Sequence, residues 1–380
     1  AMTRVFISGG VDVRSLFIIA APEIMAFSAA DPDIDGFAYI SASHNPIGHN
    51  GLKFGAHGGV YGGDESKELI SAFRELLEDK DIIKKVDELL AKFDKTKYTS
   101  VIEAIPGWKK NAFDTYLAFS NAVIADSTSP AIIDKTHGSL KEAATLRKVG
   151  IIAELNGSAR TLSIDKIILE SYGITVKSIN DKPREIVHRI VPEGFSLDRC
   201  REELEKSYKN DKRFILGYVP DNDGDRGNLV YIDTNIGKAE ILEAQEVFAL
   251  AVLSELAFIT LNRKSGASPL GVAVNGPTSM RIDAIAGVFD AETFRAEVGE
   301  ANVVNLAEDL REQGYIVRIL GEGSNGGNIT HPAAVRDPIN TVFSILKLLL
   351  FKDLFRIWSE KSDHSYSYND SYGIKDILAT

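Results

Sequence analysis

Three times along this chain a short apolar run breaks directly into a polar, glycine-bearing loop. Phe37-Ala-Tyr-Ile40 runs into Ser41-Ala-Ser-His-Asn-Pro46, Phe214-Ile-Leu-Gly-Tyr218 leads to Asp221-Asn-Asp-Gly-Asp-Arg226, and Tyr315-Ile-Val-Arg-Ile-Leu320 opens onto Gly321-Glu-Gly-Ser-Asn-Gly-Gly327. Runs this short and this apolar read as buried strands, and the amphipathic stretches between them read as helices. That alternation predicts an α/β chain. At 380 residues the chain exceeds what one compact core serves, so two or three domains are expected.

Other elements follow from local signals. A helix is predicted from Asp64 to Glu78, with Asp64 as its cap and Leu69, Ile70, Phe73, Leu76 and Leu77 on one face. The charged stretch from Lys80 to Lys97 reads as helical with a solvated face. A second unit is expected to start near Val149, with a strand at Ile151-Ile-Ala153, a turn at Asn156-Gly157 and a helix from Ser163 to Tyr172 ended by Gly173. Leu229 to Ile232 is the strand after the acidic loop, and a long helix is predicted from Glu240 to Phe258. Lys264 to Ser268 reads as a linker before a third unit that opens with Leu270-Gly-Val-Ala-Val274. Asp337 followed by Pro338 marks the start of a last helix. Asp363 to Tyr372 is polar and rich in Ser and Tyr, as a linker would be.

Each loop has its own chemistry. In the first, Pro46, Gly48 and Gly51 impose a tight exposed turn, while His44, Asn45, Asn50 and Lys53 supply donors for anionic oxygens. A serine nucleophile there must be activated or must already carry the group it transfers. In the second, Asp221, Asp223 and Asp225 can converge on one hard cation such as Mg²⁺. Without a cation their charges repel and raise one another's pKa. A calcium EF-hand would need glycine at the sixth position and glutamate at the twelfth, where this chain has Arg226 and Ile232. Arg226 is placed to reach a phosphate on the metal. In the third loop, glycines allow close backbone approach, and Glu322 and Ser324 can hydrogen-bond vicinal hydroxyls. Taken alone, this loop fits a ligand-free turn at least as well.

The net charge of −11 gives a nucleic-acid or anionic-membrane role little electrostatic support. The single cysteine, Cys200, cannot form an internal disulfide, and no apolar run reads as the ~18 residues of a membrane span, so a cytoplasmic protein is expected.

Together, and in this order, the loops resemble those of the α-D-phosphohexomutase superfamily. The pattern [ST]-A-S-H-N-P…N-G-x-K matches residues 41 to 53, D-x-D-G-D-R matches 221 to 226, and G-E-x-S matches 321 to 324, with Arg336-Asp-Pro-Ile339 echoing R-D-G-I. The resemblance implies three consecutive mixed-sheet α/β domains around a central cleft: residues 1–148 with the phosphoserine loop, 149–264 with the metal loop and 265–362 with the sugar loop. Residues 363–380 would lead toward a fourth domain that is absent, and the start of the first domain would be missing as well, which leaves the activity of the chain alone open.

By the same resemblance Ser43 carries the phosphoryl group, and Asp221, Asp223 and Asp225 with a phosphoserine oxygen hold one Mg²⁺. Lys53 assists proton transfer, Arg226 stands beside the metal loop, and Glu322 and Ser324 grip the sugar, with His44 and Asn45 also on the substrate side. The implied reaction moves phosphate between the 1- and 6-positions of a hexose phosphate, glucose or mannose, with a sugar bisphosphate as activator. Phosphoglucosamine mutase is the alternative within the family. A Ser43-dependent phosphatase and a sugar-phosphate-binding homologue without turnover are alternatives outside it. Glu300 and Ala301 depart from the basic residue the family usually places there. Gly326, where some members carry histidine, leans the reading toward glucose.

Overall fold

The computed structural model describes residues 1–43, 45–46, 48–263, 268–324, 326–365 and 368–380. The strands among the described residues form three separate sheets. The first is antiparallel, with β1 (Phe37–Ile40), β2 (Leu52–Ala56) and β3 (Gly59–Val60) in that order. The second comprises β4 (Gly150–Glu154), β5 (Thr175–Ile179), β6 (Phe214–Pro220), β7 (Gly227–Asp233) and β8 (Lys238–Ile241), in the order β5-β4-β6-β7-β8. There β4 runs parallel to β5 and β6, whereas β6, β7 and β8 are antiparallel neighbours. The third comprises β9 (Leu270–Asn275), β10 (Ala291–Ala296), β11 (Ile316–Gly321) and β12 (Ile329–Thr330), in the order β10-β9-β11-β12, with only β12 antiparallel. The second and third are the mixed sheets the resemblance implies, whereas the described strands of the first are all antiparallel. Each motif loop follows the carboxyl end of a strand, β1, β6 or β11, the end at which open α/β sheets bind ligands.

The core is carried by helices. Helix Ala244–Asn262 buries thirteen residues without a break from Val247 to Ile259, and helix Pro338–Leu350 is buried throughout. A helix apolar on every side has to be enclosed. Helix Ala244–Asn262 is in fact long and apolar enough to cross a membrane, contrary to the sequence reading, but two thirds of its apolar window is buried inside the protein. It also starts at Ala244, because Lys238–Ile241 pairs with β7 as β8. The charges this core does bury are neutralised in place: Glu255 lies 2.5 Å from Lys347 and 3.1 Å from Arg318. A second buried cluster ties distant parts together. Arg160 donates to Asp165 (3.1 Å) and to the Tyr116 hydroxyl (2.8 Å), and Tyr116 donates to Asp337 (2.6 Å). That one side chain joins helix Ile105–Ala125, the second sheet and the start of helix Pro338–Leu350.

Local expectations fare unevenly. Asp337 caps its helix by accepting the Ile339 N–H at 2.9 Å. The helix expected from Asp64 spans Gly63–Glu78 with Gly62 at its cap, and none of its residues is buried, so its apolar stripe has no cover within the described residues. The charged stretch becomes two helices, Ile82–Leu90 and Lys95–Glu103. Residues 264–267 of the expected linker lie outside the described residues. Nor is the polar tail loose at its end: Tyr372 is fully buried, its backbone carbonyl held by Arg147, and Ile374 and Ile377 pack inward from a short helix, Ile374–Leu378.

Candidate active site

The serine loop and the acidic loop meet through Ser41. Its hydroxyl donates to Asp223 Oδ2 at 2.6 Å and accepts the Ser43 N–H at 2.8 Å. Ser43 is half-buried and sits in the left-handed region, φ 50°, a conformation a non-glycine residue adopts at a cost of about 1 kcal/mol. Lys53 faces the same acids because β2 pairs with β1 in a register that sets it opposite Tyr39. Its Nζ lies 2.8 Å from Asp223 Oδ2 and 3.2 Å from Asp225 Oδ2. Burial alone would lower the Lys53 pKa, but Asp225 and Asp223 outweigh it and hold the ammonium charged. The first unit is further seated on the acidic loop by the Ala21 N–H, which donates to the Asp223 carbonyl at 2.9 Å.

The acidic loop is a tight turn between β6 and β7. Asp221 Oδ1 accepts the backbone N–H groups of Gly224 (3.1 Å) and Arg226 (3.2 Å). Gly224 is obligatory: its φ is +73°, and a Cβ would stand 2.4 Å from Cδ of Arg160. The three aspartates are buried, and each offers a carboxylate oxygen within 4.8 Å of the others. Burial, with Asp225 and Asp223 alongside, pushes the Asp221 carboxyl well above the usual range. Burial would raise Asp223 too, but Lys53 and the Ser41 hydroxyl bring it below its ordinary value. Three oxygens, Asp221 Oδ2, Asp223 Oδ1 and Asp225 Oδ1, are buried with no hydrogen-bond partner among the described residues. Converging orphan oxygens of this kind fit a hard divalent cation.

The third loop is held from both sides. Glu322 Oε1 accepts from Asn275 Nδ2 and from the Gly299 N–H, each at 2.9 Å, and Gly323 donates to Thr278 Oγ1 at 3.0 Å. Ser324 is exposed at the rim of a cavity of about 320 Å³ that Glu193, Asn228 and Gln245 also line. Gly326 packs on β7 so closely that a Cβ would meet the Gly227 carbonyl at 2.6 Å. Backbone packing therefore dictates glycine there, and the residue carries no information about the sugar.

Glu300 and Arg336 link this loop to the acids. Arg336, 3% exposed, places Nε 2.6 Å from Glu300 Oε2 and Nη1 3.8 Å from Glu322 Oε2. Burial raises the Glu300 pKa; Arg336 opposes the shift, and Asp225, Arg226 and Lys53 all lie within electrostatic reach. Arg226 itself stands 3.9 Å from Asp225.

Of the residues the sequence singled out, Ser43, Lys53, Asp221, Asp223, Asp225 and Arg226 are drawn into one neighbourhood, with Glu322 joined to it through Arg336. Asn45 is not: it is exposed, and its side-chain amide donates to the Ala42 carbonyl in its own loop. His44 lies outside the described residues. Ser41 and Arg336 were not picked out for any role. Ser41 could have been suspected from its polar place directly after the strand, whereas Arg336 showed only as the first residue of the Arg336-Asp-Pro-Ile339 echo, with no role attached.

Comparison with known proteins finds a family match over part of the chain and relatives over most of it. Residues 1–80 match the family described as phosphoglucomutase/phosphomannomutase, alpha/beta/alpha domain I. Phosphoglucosamine mutase 2 of Shewanella sp. (strain MR-4) is 24% identical over 351 residues, covering 92% of this chain and 66% of that protein. Among solved structures, a phosphoglucomutase/phosphomannomutase family protein from Burkholderia thailandensis superposes with a TM-score of 0.60 at 16% identity, over 90% of this chain and 63% of the other. N-acetylglucosamine-phosphate mutase, described as a member of the alpha-D-phosphohexomutase superfamily, superposes with a TM-score of 0.50 at 14% identity, over 90% and 87%. The chain thus spans slightly less than two thirds of the length of the curated relative and of the first of these structures.

Proposed function

We propose that the chain is a member of the α-D-phosphohexomutase superfamily and carries the phosphoserine, metal and sugar-binding parts of a hexose phosphate mutase, a reading supported by the family match over residues 1–80 and by the relatives and structures it resembles. In this reading the Ser43 oxygen–phosphorus bond breaks as a bond forms from phosphorus to a free sugar hydroxyl. Lys53 gives a proton to the departing Ser43 oxygen and is reprotonated by the proton the sugar hydroxyl releases, and the resulting sugar bisphosphate turns over to return its other phosphate. Lys53, held charged beside Asp223 and Asp225, is set to give its proton to the departing Ser43 oxygen and to offset charge on the moving group. Asp221, Asp223 and Asp225 would hold Mg²⁺, which offsets phosphoryl charge when bound. Glu322 and Ser324 would orient the sugar.

The observation that carries this reading is the set of three buried, unpartnered carboxylate oxygens on a loop hydrogen-bonded to the serine loop. Glucose or mannose phosphate is the first substrate reading; the curated relatives named phosphoglucosamine mutase favour an amino-sugar phosphate as the second. A division at residues 148/149 and 264/265 belongs to the proposal, supported by the three sheets falling within those bounds. So does a cytoplasmic site of action, supported by the lone buried cysteine. The test is intact-mass measurement after incubation with glucose 1,6-bisphosphate and Mg²⁺. The chain should gain one phosphoryl group, and Ser43→Ala should gain none. Equal labelling of the alanine variant would sink the mechanism.

A further inference from the structure

Ser41 is engaged with two loops at once. Its hydroxyl donates to Asp223 Oδ2 at 2.6 Å and accepts the Ser43 N–H at 2.8 Å. A hydroxyl has one proton to give, so committing it to the carboxylate leaves the lone pairs for the Ser43 backbone. One side-chain atom thereby spans the step from the acidic loop to the serine loop. The Ser41 backbone is itself fixed. Its N–H donates to the Gly51 carbonyl at 3.0 Å, which extends the pairing of β1 with β2. A Cβ at Gly51 would stand 2.8 Å from the Ser41 carbonyl oxygen, so only glycine lets the chain close here. The hairpin therefore delivers the hydroxyl to a set point.

Each contact has a consequence on its own side. Asp223 Oδ2 is taken up by Ser41 and by Lys53, at 2.6 and 2.8 Å, whereas Oδ1 is buried without a partner among the described residues. Holding one oxygen fixes the rotation of the carboxylate and leaves the other as its free member in the aspartate trio. On the serine side, the N–H that Ser41 holds belongs to a residue in the left-handed region, φ 50°, a conformation that persists only where the surroundings impose it.

We propose that Ser41 is a positioning residue. Through one hydroxyl it sets the backbone of Ser43 against the aspartate trio and turns Asp223 so that Oδ1 is free for a cation. This rests on the proposed function, which makes Ser43 the phosphoryl carrier and the trio its metal site. It adds a residue that does no chemistry itself and acts through both of them. Partners of this outer kind typically contribute about 10- to 100-fold to metal affinity or activity.

The experiment compares the native chain with Ser41→Ala and Ser41→Thr. Calorimetric titration with Mg²⁺ alone should show affinity about tenfold lower in Ser41→Ala and close to native in Ser41→Thr, which keeps the hydroxyl. The rate at which glucose 1,6-bisphosphate phosphorylates the chain in saturating Mg²⁺, followed by intact mass, should fall about 10- to 100-fold in Ser41→Ala. Ser41→Thr should recover most of that loss. With the cation saturating, the rate reports where Ser43 is held rather than how much metal is bound. Thermal unfolding in EDTA checks that each variant folds; a merely structural role would lower that midpoint and leave Mg²⁺ affinity alone. A Ser41→Ala chain with native Mg²⁺ affinity or a native labelling rate would overturn the inference and leave the mutase reading intact. So would a Ser41→Thr chain no better than Ser41→Ala. A native chain that binds Mg²⁺ yet takes up no phosphoryl group would overturn the mutase reading, and the inference with it.

Discussion

At the scale of single residues, the acidic loop carries a cost in stability that the proposed cation would offset. Asp221 is buried among like charges, and its carboxyl is pushed well above its ordinary range by burial first and by Asp225 and Asp223 next. Its Oδ1, however, has a structural task, accepting the N–H groups of Gly224 and Arg226, while Oδ2 has no partner. Asparagine can keep the first duty and drop the charge. Asp221→Asn should therefore unfold at a higher temperature than the native chain in EDTA, by on the order of 1 kcal/mol. It should also lose most of the stabilisation that millimolar Mg²⁺ confers on the native chain. Thermal unfolding with and without Mg²⁺ measures both. A variant weaker in EDTA and still stabilised by Mg²⁺ would mean the trio is a structural turn.

At the scale of elements, the segment from Asn180 to Glu193 is an irregular strap fastened at its ends, where Asn180 donates to Glu154 and the Pro192 carbonyl accepts from Asn228, and at its middle by Asn156. Asn156 Oδ1 accepts the N–H groups of Val187 (2.8 Å) and His188 (3.3 Å). The His188 ring lies between two acceptors, Glu154 Oε2 at 2.6 Å and the Arg189 carbonyl at 2.7 Å. Burial would lower the His188 pKa, but the hydrogen bond and charge of Glu154 outweigh it, so the folded value lies above the usual 6.5. A histidine whose pKa rises on folding stabilises fully below its unfolded pKa, and that contribution fades as pH climbs through the folded value. His188→Gln should thus cost about 1 kcal/mol at pH 6 and clearly less at pH 9. Urea unfolding at the two pH values reads this directly, and an equal loss at both would count against a charged histidine. The strap ends at Glu193, which lines the same cavity as Ser324, so its fastening bears on the rim of the sugar loop.

At the scale of the whole molecule, the question is what keeps three sheets in one arrangement. Arg160 answers much of it: it is 1% exposed, bonded to Asp165 and Tyr116, 3.5 Å from Asp337, and in contact with the turn at Gly224. The side chain that joins the units is thus also the floor of the acidic loop. Arg160→Leu would leave Asp165 and Asp337 buried without a counter-charge, a loss of roughly 3–5 kcal/mol. The expected outcome is a lower urea midpoint together with weaker Mg²⁺ binding, since the loop loses its support. A drop in stability with unchanged Mg²⁺ affinity would separate the two roles.

How much of this the sequence showed depends on whether a signal is local. Strand β1 running into Ser41, the hairpin that carries the aspartates and the Asp337–Pro338 helix start were all readable, because apolar runs, turn residues and caps act on their immediate neighbours. The same holds for the candidate chemistry of Ser43, Asp221, Asp223 and Asp225, whose residue types and spacing state what they can bind. Helix Ala244–Asn262 was placed four residues early because cross-strand pairing with β7 claims Lys238–Ile241, a competition between distant partners. Asn45, read as a donor to substrate, turns back on its own loop, and Gly326, read as a mark of sugar type, proves to be a contact with Gly227. The pairing of Arg336 with Glu300 and Glu322 could not be seen, although Arg336 stood in a motif echo and Glu300 was a noted departure. Those partners lie 14 and 36 positions away along the chain, and only the folding of the third unit brings the charges within a few ångströms, where Coulomb forces and burial couple them.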